Sequence, residues 1–300
     1  MIIEKTKLQA FLEAEVNKTK GIYYPVKAGL FRRYFVKKLP CGKLHPNPND
    51  EFCFPDIGPN YEIISKYAKE YLIIKDSGAN AEFYKSEARE PILVERISPD
   101  GYMILNGHHR WAAALQIGLK RLPVQIVDLT QETDIQKMLR ATGFHKRVTL
   151  DLDEVVFRPD SDSCLEKGLP FPANRIFKER IRLGIPALFH TLKSKGYDIW
   201  IYTARYYSLD YLKRYFWHYR VRVTGIVTGT ARKGPKGTDT MKELEKLLET
   251  KYKSTVHIGN DMVLRTFREE RDYEEYPLKA PASGWSREAV EIIEGMKPHE

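Results

Sequence analysis

From Tyr61 to Lys75 the apolar residues fall at 63, 64, 67, 68, 71 and 72, a three-to-four spacing that predicts a helix. PILVERI (91–97) then predicts a strand, Asp100-Gly101 a tight turn, and YMIL (102–105) the partner strand of a hairpin. HRWAAALQIGL (109–119) reads as a helix ending at Gly118, and PVQIVDL (123–129) as another strand. Residues 130–146 are polar and predict a helical connector. Beyond them the pattern becomes regular. RVTLDLDEVVF (147–157) predicts a buried strand running into acids, and IPALFHTLKSKGYDIWIYTAR (185–205) a helix, a glycine stop and a strand. SLDYLKRYFWHY predicts a helix, VTGIVTG (223–229) a strand, MKELEKLLETKY a charged amphipathic helix, and TVHIGND (255–261) a final strand. Strands alternating with helices imply parallel pairing and three layers. The expected class is α/β, with an α+β domain over 1–135 and a three-layer parallel-sheet domain over 147–300.

Composition narrows the class of molecule. With 42% hydrophobic and 30% charged residues, enough apolar surface exists to bury a core, which excludes a disordered tail. No run approaches the roughly 18 apolar residues of a membrane span, and MIIEKTKLQAFLEAE has no apolar signal-peptide core. Cys41, Cys53 and Cys164 match no zinc or disulfide spacing, so a cytoplasmic setting is expected. The net charge of +9 is spread over both halves and permits a phosphate-bearing partner without requiring one.

Ligands of a parallel sheet sit at the carboxyl ends of its strands. In the second half those ends carry Asp151 and Asp153, then Thr203, then a loop with Lys233 and Lys236, then Asn260-Asp261. Carboxylates with open water positions suit Mg²⁺. One carboxylate can attack phosphorus while a second protonates the leaving oxygen, with a lysine offsetting charge. DLDEVVF, IYTAR, a following lysine and HIGND resemble, in order and spacing, the haloacid dehalogenase-like (HAD) phosphohydrolases over about residues 147–265. The resemblance implies Asp151 as the nucleophile and Asp153 as the general acid/base. It further implies Thr203 and either Lys233 or Lys236 on the phosphoryl group, and Asp151, Asp153 and Asp261 around Mg²⁺. Two departures stand out. The last motif has Asn260-Asp261 with Arg265 four residues on, and only about 30 residues separate Phe157 from the helix at Ile185. So short an insertion leaves room for a large phosphorylated substrate, even a polynucleotide end.

In the first half, ILNGHHRWAAAL sets Gly107 at a turn and His108, His109 and Arg110 at a helix start. Such a turn offers backbone N–H groups and the helix dipole to phosphate, with Arg110 as a bidentate grip. PNPNDEF followed by EPILVERISPDGYMILNGHHRWAAALQIGLKRLPVQIVDL resembles the N-terminal domain of the ParB/sulfiredoxin superfamily over about residues 40–130. That resemblance implies nucleotide phosphates on Gly107, His108, His109 and Arg110. The sulfiredoxin cysteine position is His108, which excludes that chemistry, and the helix-turn-helix domain of partition proteins is replaced. The Gly-His-His-Arg form is most similar to the free serine kinase branch. A kinase needs a base for the acceptor hydroxyl; Glu51 is the candidate, with Asp50 next.

Lys213, Arg214, Arg220 and Arg222 interleave with Tyr211, Tyr215, Phe216, Trp217 and Tyr219. That is either a strand-binding surface or, more simply, a helix burying one aromatic face. The expectation for the whole is a bifunctional phosphoryl-transfer enzyme. It would be a Mg²⁺-dependent phosphatase joined to a kinase using ATP or CTP and acting on a nucleic-acid end or a small hydroxyl compound. The rivals are a nucleic-acid-binding ParB-like protein gripping through the basic residues Arg32 to Lys43, and a phosphatase gated by nucleotide.

Overall fold

The structure, a computed structural model, describes residues 5–19, 24–76, 86–231, 246–248, 250–268 and 273–297. These form two compact mixed α/β units, one up to Asp128 and the other from Leu129 onward.

The first unit contains helix α1 (Lys5–Thr19), strand β1 (Tyr24–Pro25), α2 (Leu30–Arg33), β2 (Lys37–Pro40), β3 (Leu44–His45) and α3 (Tyr61–Asp76). It continues with β4 (Ile92–Ser98), β5 (Tyr102–Asn106), α4 (His108–Gln116) and β6 (Arg121–Ile126). The sheet order is β2-β6-β4-β5-β3, with β1 on the end of β4. β4 and β5 form the expected antiparallel hairpin, whereas β4–β6 and β5–β3 run parallel. Helix α4 buries Trp111 and three consecutive alanines, because their small side chains let it approach neighbours on several sides. One such neighbour is α3, whose buried residues are Ile64, Ala68 and Tyr71. Ile63 and Leu72, on the edges of that predicted stripe, stay exposed.

The second unit has α5 (Glu132–Arg140), β7 (Lys146–Asp151), β8 (Phe157–Arg158), β9 (Arg180–Ile181), α6 (Ile185–Ser194) and β10 (Tyr197–Thr203). It is completed by α7 (Leu209–His218), β11 (Gly225–Thr228), β12 (Ser254–Ile258), β13 (Met262–Phe267), β14 (Tyr273–Pro277) and α8 (Trp285–Gly295). Its sheet runs β11-β10-β7-β12-β13-β14. The first four strands are parallel, and β13 and β14 extend the sheet antiparallel. Strand alternation divides the residues between two faces. Val148, Leu150, Ile199, Ile201 and Val256 join a core with α6, α7 and α8. Trp200 and Val227 face the other way, onto Ile135 and Met138 of α5. Gly225 is required there, since a Cβ would stand 2.2 Å from the Trp200 ring.

Three segments bear on the expectations. The polar segment 130–146 does hold a helix, α5, and it also carries Ile135 and Met138 into the core of the second unit. The strand predicted over 147–157 stops at Asp151, and Leu152–Val156 form one wide helical turn. Only 246–248 and 250–252 of the predicted helix at 241–252 lie among the described residues. No helix among the described residues is long and apolar enough to cross a membrane.

Candidate functional site

Strand β7 ends at Asp151 through its own side chain. Oδ1 accepts from the N–H groups of Asp153 (2.7 Å) and Glu154 (2.8 Å), which winds the following residues into a turn. The register sets Asp151 beside Tyr202 of parallel β10, so Thr203 follows at the same sheet edge. The Thr203 hydroxyl donates to Asp153 Oδ2 at 2.7 Å and accepts from the Arg205 N–H at 3.1 Å. Thr203 is fully buried. Its hydroxyl is therefore taken up in positioning Asp153, which corrects the expected contact with the phosphoryl group. The other Asp153 oxygen has no hydrogen bond, and Arg205 Nε lies 3.4 Å from it.

Arg205 brings a cation to this edge, and its side chain is 69% exposed. A hydrogen bond with Tyr207 raises its pKa further. The signal was present in IYTAR, two residues past the strand end, but an arginine in a loop reads as surface. Lys233 and Lys236 lie outside the described residues.

Asp261 is exposed. Among the described residues no group of three His, Cys, Asp or Glu side chains is placed to hold a metal, so Asp261 does not join Asp151 and Asp153. Its neighbour Asn260 does different work. Asn260 Oδ1 accepts from Arg182 (2.8 Å) and Nδ2 donates to the Glu154 carbonyl (3.2 Å), tying the loop after β12 to the Asp151 turn. Arg182 lies 3.9 Å from the Trp285 ring centre, and Trp285 donates to the Gly259 carbonyl at 3.2 Å. Burial pushes Arg182 down to about 10, so it stays charged near neutral pH. Arg265 is buried on β13 against Glu274 and the Lys297 carbonyl, a structural cation. The carboxylates that remain still suit Mg²⁺, which takes one or two carboxylates with water and substrate phosphate oxygens rather than a full protein cage.

In the first unit Gly107 has φ +104, and a Cβ there would meet Ile92 at 3.1 Å and the Arg110 guanidinium at 3.2 Å. Arg110 is buried and turns back along the chain, donating to the carbonyls of Glu90 (2.7 Å) and Glu87 (3.4 Å). Both histidines are engaged as well. His108 Nε2 accepts from the Asn47 N–H and His109 Nε2 from the Asn60 N–H, each at 3.1 Å. With Nε2 accepting, the His108 proton sits on Nδ1, 3.6 Å from Asp50 Oδ1. Burial pushes His108 down to about 4 and His109 down as well, so both are neutral near pH 7. Phe52 stacks on His108 at 5.3 Å and meets the His109 edge at 4.9 Å. These three side chains were expected to hold phosphate; instead they fasten the 47–60 loop and the 87–90 segment around the turn. No side chain caps the start of α4 at Gly107, so the binding groups left at this turn are backbone N–H groups. Glu51 is exposed on the 3₁₀ turn between Asp50 and Phe52, beside this cluster. Of the basic cluster, Arg33 is paired with Asp128 at 2.7 Å and Lys43 with Asp100, while Arg32 and Lys38 are exposed.

The family model of the ParB N-terminal domain matches residues 84–142. A curated relative, the ATP-dependent L-serine kinase of Staphylothermus marinus, is 44% identical over 43 residues, 14% of this chain and 17% of the kinase. Two structures of the C-terminally truncated chromosome-partitioning protein ParB from Caulobacter crescentus are similar at 24% identity. The one complexed to the centromeric parS site covers 35% of this chain and 48% of its own, with a TM-score of 0.22. The one with CTP-gamma-S covers 37% and 56%, with a TM-score of 0.23. The chain thus spans less than a fifth of the kinase and about half of each partitioning structure.

Proposed function

We propose that the chain carries two phosphoryl-transfer sites, a phosphomonoesterase in the second unit and a nucleotide-dependent kinase in the first. One observation carries the phosphatase: at the end of the central parallel strands, Asp151 stands two residues before Asp153, and Asp153 is held by Thr203 at 2.7 Å. The HAD-like motif order supports the same reading. With Oδ1 fixed by two N–H groups, Asp151 Oδ2 attacks phosphorus and the bond to the leaving oxygen breaks. Protonated Asp153 gives that oxygen its proton, then takes one from the water that hydrolyses the aspartyl-phosphate. Arg205 neutralises the transferring group. Mg²⁺, held through Asp151 together with substrate oxygens, would supply further charge neutralisation. Asp151→Asn should abolish phosphate release from p-nitrophenyl phosphate; wild-type turnover in that variant would sink the assignment.

The kinase reading rests on the first turn of α4 behind Gly107, which no side chain caps, and on the similarity to an ATP-dependent L-serine kinase over 43 residues. Glu51 would take the acceptor proton. The test follows γ-labelled ATP with free serine or a 5′-hydroxyl oligonucleotide. Transfer of label that is lost in Gly107→Val supports the reading, and label found only in inorganic phosphate rejects it.

A further inference from the structure

Helix α7 presents two different faces. Leu212, Tyr215 and Phe216 are fully buried. Tyr211, Tyr215 and Tyr219, spaced four residues apart, donate their hydroxyls to the Glu179 carboxylate and to the carbonyls of Glu179 and Lys167, fastening the 167–180 loop along the helix. On the other side Lys213, Arg214 and Arg220 are exposed around Trp217, itself 68% exposed. The fastened loop adds Lys178 and Phe171, whose ring has the Arg175 guanidinium 4.9 Å from its centre. Of the nearby acids, Glu179 is occupied by the Tyr211 hydroxyl at 2.5 Å.

Ring packing beneath this surface links it to the carboxylate pair. Trp217 meets His218 (5.1 Å), His218 meets the buried Phe177 (5.2 Å), and Phe177 meets Tyr211 (4.9 Å). Tyr211 stacks on Tyr207 at 6.2 Å, and Tyr207 bonds Arg205, which stands 3.4 Å from Asp153. We propose that this surface holds single-stranded polynucleotide and delivers its terminal phosphate to Asp151, an inference that rests on the phosphatase reading. Exposed rings among exposed cations suit stacked bases and the phosphates between them. A duplex hides its base faces, and an acidic peptide has none to stack.

The full chain carries four tryptophans, and Trp111, Trp200 and Trp285 are at most 1% exposed, so a fluorescence change on stacking reports Trp217. A twelve-nucleotide oligothymidine ending in a phosphate should quench the emission, and Trp217→Ala should abolish the quench. KM for phosphate release from that oligonucleotide should lie about tenfold or more below that for thymidine monophosphate, and rise about tenfold in Trp217→Ala, the effect of losing one stacked base. Turnover of p-nitrophenyl phosphate should not change in that variant. Equal KM for the two nucleotide substrates, a quench that survives Trp217→Ala, or tighter binding of duplex DNA or polyglutamate would overturn the inference alone. A chain inert toward p-nitrophenyl phosphate and oligonucleotide phosphate alike would overturn the phosphatase reading and this substrate with it.

Discussion

Thr203 is a buried hydroxyl whose part in the proposed reaction runs through Asp153. It holds Asp153 and is itself held by the Arg205 N–H. Thr203→Val keeps the shape and removes both bonds, so kcat on p-nitrophenyl phosphate should fall about a hundredfold, the lower end of what a placed general acid contributes. KM should change little, and Thr203→Ser should recover most of the rate. An unchanged kcat in the valine variant would show that Asp153 needs no such support. His108 has its own measurable signature. Its folded pKa of about 4 lies below the ordinary 6.5, so the unfolded chain binds more protons between those values. Stability should therefore be lost as pH falls from about 6.5 toward 4, and the loss should be smaller in His108→Gln. A melting profile with the same acid slope in both proteins would exclude His108 as the cause.

At the scale of elements, the tyrosines of α7 do what salt bridges do elsewhere, at the cost of three hydroxyls rather than two desolvated charges. Tyr215 is fully buried and donates to the Glu179 carbonyl at 3.1 Å. Tyr215→Phe should cost about 1 kcal/mol and release the loop, so trypsin should cut after Arg175 and Lys178 faster while circular dichroism is unchanged. Equal cleavage rates would count against the fastening role. These elements also show what the sequence could and could not disclose. The acids Asp151 and Asp153 at the strand end were readable because a period-two strand runs into them, but the turn was not, since it forms when Asp151 Oδ1 accepts two backbone N–H groups. The roles of His108, His109 and Arg110 were not, since their partners are backbone groups of Asn47, Asn60, Glu87 and Glu90, and no side-chain pattern encodes those. The β13–β14 hairpin escaped notice because buried Arg265 interrupts the apolar alternation of MVLRTF. Helix α8 escaped because only Trp285, Ala289 and Ile293 of its residues are buried.

At the scale of the whole molecule, the two units have separate cores, and the proposed sites share no residue. Effects at such sites should add. Asp151→Asn should leave nucleotide binding within about twofold, Gly107→Val should leave phosphatase turnover within about twofold, and the double variant should show both losses and no more. A coupling beyond about tenfold in either titration would mean that one site gates the other. The order of strands in the second sheet has one more consequence. β7 is the first strand of that sheet to be made, yet it ends between β10 and β12. While ribosomes add the roughly hundred residues from Asp151 to Ser254, one side of β7 offers unpaired peptide groups to any extended chain nearby. At about 5–20 residues per second that exposure lasts on the order of 5–20 seconds, a window in which nascent neighbours on one messenger compete with the strand that belongs there.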